Sequence, residues 1–219
     1  MTSSSDSAPE QQPSKLTLVV ATRNPDKLAE LREILGGRRI EILSYEDLGD
    51  WPEPEESGNT IEENALIKAR AVFERFGIPA IADDTALEVD ELKGAPGVRS
   101  ARYAGEGASY EDNRRKLLSE LEGVPPERRG ARFRTAAVAI GIGSTPIVVV
   151  GELRGKILTE ERGSHGFGYD LVFVPEGHEL TFAEMPASEK NAISHRARAF
   201  KALAKAIESR LKGLQERQQ

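Results

Sequence analysis

The chain has 219 residues, 38% of them hydrophobic, a formal net charge of −6 and no cysteine. That length supports one large domain or two intimate lobes, and the missing cysteines exclude disulfide staples, thiolate metal sites and cysteine nucleophiles, which fits a reducing, cytoplasmic setting. No apolar run approaches the roughly 20 residues of a membrane-spanning helix, and the acidic balance argues against a nucleic-acid polymer as partner while leaving room for a small anion held by a local basic cluster.

Met1 to Pro13 is rich in Ser, Gln and Pro, with neither a basic start nor an apolar run, so residues 1–14 read as a disordered tail, not a signal peptide. Leu16 to Ala21 is a buried strand by its Leu/Val content. Lys27 to Leu35 follows as a helix with Leu28, Leu31, Ile34 and Leu35 on one face, ended by Gly36-Gly37. Ile40 to Leu43 is a second strand, and Gly49 to Gly58, with Pro52 and Pro54, is a loop. A helix is expected over Thr60 to Phe76, a brief strand over Pro79 to Ala82 ending at Asp83-Asp84, and a separate extended piece over Leu87 to Val89. Ser109 to Leu121 reads as a helix capped by Ser109. Arg132 to Gly143 and Ile147 to Arg154 flank a Gly-Ser-Thr-Pro turn, which predicts an antiparallel hairpin. Val172 to Val174 is a short strand, and a terminal helix covers Ser194 to Leu211. The interleaving predicts an α/β fold with a mixed sheet, one domain over 15–212 and a polar tail over 213–219.

Five segments could carry chemistry. Thr22-Arg23-Asn24-Pro25-Asp26-Lys27 joins a buried strand to a helix whose unpaired N–H groups suit phosphate; the plain alternative is a connection capped by Asp26. Thr60-x-x-Glu63 has the form of a capping box, which competes with Glu63 as a metal ligand. Asp83-Asp84-Thr85 ends an apolar strand. Adjacent carboxylates there are costly to bury unpaired, and a regular strand would show only one of them to a given site. They read either as an Asp-rich turn or as hard oxygen ligands for Mg²⁺. The three histidines, 165, 178 and 195, have no helical zinc spacing. Gly163 to Asp170 holds three glycines in six positions, with Phe167 and Tyr169 as candidate base-stacking faces or simply a flexible turn. Ser194 can cap the last helix, which puts His195 and Arg196 in its first turn. Cations there oppose the helix dipole, so an anionic or carbonyl-bearing ligand explains them better than stability does.

Taken in order, VVATRNPDKLAEL, GNTIEENALIKA, AIADDTALEVDELKGAPGVRSARYAG, GFGYD and EKNAISHRA resemble the non-canonical purine nucleoside triphosphate pyrophosphatase family, the inosine triphosphatase-like house-cleaning enzymes. The resemblance runs from about Lys15 to the end of the terminal helix. It implies a mixed twisted sheet with flanking helices, two lobes around a nucleotide cleft and a homodimer. It also implies Mg²⁺-dependent hydrolysis of ITP, dITP, XTP or dXTP to monophosphate and pyrophosphate. Position by position, Thr22, Arg23, Asn24, Pro25, Asp26 and Lys27 would bind phosphate. Glu63 and Asp84, with Asp83 close by, would hold Mg²⁺, and Asp84 would be the general base. Thr85, Phe167, Gly168, Tyr169, Asp170, Lys190, His195 and Arg196 would contact nucleotide. Three positions depart from the family pattern: Leu171 in place of proline after GFGYD, Thr85 in place of serine, and Arg99 where an aromatic is frequent. Rival readings are a pyrophosphatase of related fold for other modified nucleotides, a nucleotide-binding regulator without turnover, and a structural domain whose motifs are only caps and turns.

Overall fold

The computed structural model describes residues 15–49 and 51–217; the N-terminal tail expected over 1–14 lies outside them. The elements run β1 (Leu16–Val20), α1 (Pro25–Leu35), β2 (Ile40–Leu43), α2 (Tyr45–Leu48), α3 (Ile61–Phe76), β3 (Ala80–Val89), β4 (Pro96–Gly97), α4 (Tyr110–Glu120), β5 (Gly130–Ile140), β6 (Ile147–Ile157), β7 (Phe173–Pro175), α5 (Ala187–Ile193) and α6 (His195–Glu216). The sheet order is β2-β1-β3-β5-β6-β7, with β4 paired to β3. β1 is parallel to β2 and β3, and the β3-β5-β6-β7 stretch is antiparallel, so the mixed α/β sheet is as expected.

Alternation along the strands builds two core layers. Leu18, Val20 and Ile81 face α1 and α6, whose Leu28, Leu31, Phe200, Leu203 and Ile207 cover that side. Val19, Ala80, Ala82 and Ala86 face α3 and pack on Ala65, Ala69 and Val72. A third cluster, with Phe133, Phe173, Phe182 and Leu117, fills the far end of the long strands. Close packing of α6 on the sheet depends on Gly151, since a Cβ there would collide with the backbone of His195 and Ala199.

Several boundaries differ from the sequence reading, each for an identifiable reason. The two pieces over 79–82 and 87–89 form one ten-residue strand, β3, because β5 pairs with it from Ala80 to Val89 and carries the polar Asp83-Asp84-Thr85 through. α6 runs to Glu216, so residues 213–216 are helix and not tail. Asn24 caps α1, accepting from the N–H groups of Asp26 and Lys27; Pro25 then takes the first helical position, where its missing N–H costs nothing, and Asp26 is left in the first turn. Thr60 caps α3 by accepting from Glu63 N, but the Glu63 carboxylate reaches back one residue further than a capping box, to Asn59 N at 2.7 Å.

The long strand β3 has two successive neighbours on one edge. β1 pairs with it only at Ala80 and Ile81, and β4 only at Leu87 and Glu88. Between them Ala82 to Ala86 has no strand partner on that side among the described residues. The sheet is open there, and the gap is where the cleft lies.

Candidate active site

A cleft of about 280 Å³ opens over this gap, lined by Thr22, Asn24, Lys27, Glu56, Lys68, Asp83, Asp84, Thr85, Tyr110, Phe167 to Asp170, His195 and Arg196 among others. Its two aspartates point to opposite faces of β3, as strand geometry requires. Both nevertheless line the cleft, because it wraps around an unpaired strand edge, and this corrects the expectation that only one would be presented.

Asp83 faces α1 and α6. Its Oδ2 lies 3.2 Å from Lys27 Nζ and accepts from Arg196 Nε at 3.3 Å. Burial works against the charge, but Lys27 and Arg196 hold this carboxyl well below the usual carboxylate range. Arg196 also donates to Glu30 at 2.6 Å and to Thr85 Oγ1 at 3.3 Å, and Thr85 shares a 2.7 Å hydrogen bond with Thr135. Burial lowers the pKa of Lys27 more than Asp83 raises it.

Asp84 faces α3. Its Oδ1 accepts from Lys68 Nζ at 2.9 Å, and Lys68 also donates to Glu56 Oε1 at 2.9 Å. Burial pushes Asp84 above the usual value in spite of Lys68 and Lys27. Lys68 is itself pushed up to about 12: burial would lower it, but Asp84 and Glu56 prevail. Glu56 is held below the usual range because Lys68, Lys27 and Arg102 outweigh its burial. A carboxylate of raised pKa, hydrogen-bonded to an ammonium and facing a cleft, is suited to take a proton from water.

The other expected residues are distributed unevenly. Thr22 accepts from Asn24 N at 3.2 Å and lines the cleft. Arg23 lines an adjoining hollow with Trp51 and Glu53, while Pro25 and Asp26 are exposed on the first turn of α1. Glu63 is exposed on α3, tied to Asn59 and outside the cleft lining. Phe167 and Gly168 sit on a loop fixed by Asp170, whose carboxylate accepts from Phe167 N at 2.8 Å and from Lys190 at 2.6 Å. Burial drives the Asp170 pKa up against the pull of Lys190. At Gly166 (φ 72°) a side chain would strike that same carboxylate. These bonds, with Asp170 N to the Phe167 carbonyl and Val172 N to the Tyr169 carbonyl, set the loop's shape without the proline that Leu171 replaces.

Two residues differ from the sequence reading in role. Tyr169 borders the cleft, but its ring is largely buried in the core and its hydroxyl donates to the Ser100 carbonyl at 2.9 Å. Lys190 is committed to Glu30 and Asp170 and borders a neighbouring groove, not the cleft. Ser194 does cap α6, and His195 and Arg196 do occupy its first turn. His195 stacks on Phe133 (4.4 Å, 14°), and burial, followed by Arg196 and Lys190, lowers its pKa well below 6.5. It is therefore a neutral imidazole, and the dipole conflict read from sequence does not arise for it.

Sequence reading missed Glu56 and Lys68. Lys68 lies on α3 three residues after the buried Ala65 and reads as a solvated charge; only its spacing of four residues, about one turn, from Asn64, which also reaches Asp84 (3.4 Å), hints at a shared face. Glu56 sits in an irregular acidic loop with no periodic signal.

The carboxylates suit a divalent metal. Asp84 Oδ2 and Glu56 Oε2 each have, among the described residues, only a long contact of 3.4 Å, from Asn64 and Arg102 respectively, so each retains capacity for a hard cation. Among the described residues no group of three acidic or His side chains is assembled. Two carboxylates completed by substrate phosphates is the usual way Mg²⁺ is held.

Comparison with known proteins agrees with this fold. The Ham1 family model matches residues 18–206. The dITP/XTP pyrophosphatase of Geobacter sulfurreducens is 52% identical over 84% of this chain and 92% of its own length, and that of Bacillus subtilis is 46% identical over 87% and 96%. The solved HAM1 protein of Coxiella burnetii superposes with a TM-score of 0.79 at 38% identity, covering 89% of this chain and 99% of that one. With the family pattern spread over strand, loop and helix alike, the chain belongs to the Ham1 family.

Proposed function

We propose that the cleft hydrolyses dITP, XTP and their ribo and deoxy counterparts to the monophosphate and pyrophosphate, clearing aberrant purines from the nucleotide pool. One observation carries the reading: Asp84, of raised pKa and bonded to Lys68, faces a cleft whose other wall is the N-terminus of α1 with Lys27. A carboxylate base therefore stands opposite a phosphate-binding helix end.

In this reading Thr22, the Asn24 amide and Lys27 receive the phosphates, and Asp84 takes a proton from the attacking water. Oxygen attacks the α-phosphorus, the bond from that phosphorus to the bridging oxygen breaks, and pyrophosphate leaves. Asp84 and Glu56, in place of Glu63, which lies outside the cleft lining, would hold Mg²⁺, which supplies charge neutralisation at the phosphates. Asp83 keeps Lys27 and Arg196 in place. Phe167 offers the base a ring already polarised by Arg196, 5.4 Å from its centroid. His195, neutral, offers one N–H, matching the C6 carbonyl of hypoxanthine or xanthine and mismatching the adenine amine. No helix of the described residues is long and apolar enough to cross a membrane, and the reading is of a cytoplasmic homodimer.

Product analysis over dITP, XTP, ATP and GTP, with and without divalent ion, tests it. Pyrophosphate is expected from dITP and XTP only with metal. Orthophosphate as first product, or full activity in excess chelator, refutes it.

A further inference from the structure

The cleft lining includes a tyrosine that the reaction does not use. Tyr110 is the first residue of α4, a helix start fixed by the reciprocal Ser109–Asp112 capping bonds. Its hydroxyl oxygen accepts from Asn24 Nδ2 at 2.7 Å, across 86 positions of sequence. Its ring lies 5.9 Å from that of Phe167, tilted by 41°. Tyr110 thus touches the phosphate loop with one end and the Phe167 loop with its face.

Asn24 has no freedom to avoid this contact. Its Oδ1 is taken by the N–H groups of Asp26 and Lys27, so the amide cannot flip and its NH₂ must point into the cleft. That NH₂ is the donor a phosphate at the start of α1 would require, and in this structure a phenol oxygen has one of its two N–H groups. Phenol and phosphate oxygens compete for that N–H, and the phenol stands in the cleft lining beside it, where the phosphate would approach. Tyr110 is meanwhile 40% exposed, one of few large apolar side chains so placed, and so can swing outward without opening the core.

We propose that Tyr110 is a latch: it closes the cleft by holding Asn24 and Phe167 together, and a triphosphate takes that Asn24 N–H only by displacing the Tyr110 hydroxyl. Tyr110 is then a positioning residue that acts through Asn24 and sets how easily the phosphate loop is released. The inference rests on the proposed reading of that loop as the phosphate site.

Tyr110→Phe removes the hydroxyl and keeps the ring, so folding is spared. With the latch bond absent, calorimetric titration with tripolyphosphate should show Kd falling about three- to ten-fold, the effect of one modest hydrogen bond no longer opposing entry. KM for dITP should fall by a similar factor with kcat within about two-fold, a split that a merely structural role would not produce. Tyr110→Ala should keep the gain for tripolyphosphate. An unchanged or weaker Kd in Tyr110→Phe overturns the latch, and weakening in particular would make the hydroxyl a phosphate donor. Wild-type protein that binds neither tripolyphosphate nor dITP would sink the reading of the phosphate loop too, whereas binding without the gain sinks the latch alone.

Discussion

On the α1/α6 side of β3 the charges close on themselves. Arg196, 3% exposed, is shared by Asp83, Glu30 and Thr85, and Lys190, 5% exposed, by Glu30 and Asp170. On the α3 side the charges stay open towards the cleft: Lys68 serves Asp84 and Glu56, and each of those keeps one oxygen with nothing nearer than 3.4 Å. The two sides are separated by one peptide bond, between Asp83 and Asp84. A buried network whose ions all have partners is scaffolding, and removing a member leaves a charge stranded. Unsaturated carboxylates beside an ammonium are groups that can still take up a metal or a proton. The alternation of β3 thus divides one acidic pair into a strut and a reagent.

The largest effect should come from breaking the closed side. Arg196→Ala takes the shared cation from Asp83 and Glu30 and leaves them only Lys27 and Lys190, so unfolding in urea should show a loss of about 3 kcal/mol, the low end for breaking a buried pair. A loss under about 1 kcal/mol would mean that this network is not scaffolding, and the contrast between the two sides would fail.

On the open side the expected pattern is the reverse. Asp84→Asn should lower turnover at saturating metal by at least ~10²-fold, about 2.7 kcal/mol of barrier, while stability stays within about 1 kcal/mol because Lys68 keeps Glu56. Near-normal turnover would move the base elsewhere, with Asp83 the next candidate.

A finer division separates two glutamates. Glu56→Gln should raise the metal concentration for half-maximal activity about ten-fold, since a hard cation loses one of two anionic donors. Glu63→Gln should leave that midpoint within about two-fold, because Glu63 serves the entry of α3. Equal shifts would return Glu63 to the metal.

Sequence legibility followed the same division. Strands and helices with a periodic apolar face, such as β1 and α3, were readable because burial writes directly into residue spacing. Thr22, Asn24, Lys27, Asp83, Asp84 and Thr85 were legible as polar residues where an apolar run ends, and His195 and Arg196 as basic residues set against the dipole at the start of the last helix. The continuity of β3 was not, since a strand crossing the cleft edge looks broken where its polar residues fall, and only the pairing with β5 restores it. Glu56 was hidden in an aperiodic loop, and Lys68 looked like any charge on a helix. Tyr169 was read by residue type, and Lys190 from the family resemblance, as nucleotide contacts; their buried partners Ser100 and Glu30 are found only in three dimensions. Legibility failed where a role depends on a partner far away in the chain.

The smallest effect expected is a pH dependence on the closed side. Burial beside Arg196 and Lys190 keeps His195 neutral when folded, with Asp83 the one nearby charge favouring protonation and Lys27 a further one opposing it. In the unfolded chain the same imidazole takes a proton near its usual 6.5, so below that pH the unfolded state binds more protons than the folded one. Stability then rises with pH. The contribution of His195 is fully present above 6.5 and is lost as pH falls below it. Asp83 and Glu30, whose pKa values are held low, give up their contributions only in the carboxylate range, at lower pH. His195→Phe keeps the stack on Phe133 and removes an Nδ1 that has no hydrogen-bond partner, so it should cost little at pH 8. The variant should lose less melting temperature than wild type between pH 7 and 5. Parallel slopes in thermal melts of the two proteins would show that His195 charges without penalty, and hence that the α6 side tolerates a further cation and is less closed than its ion pairs imply.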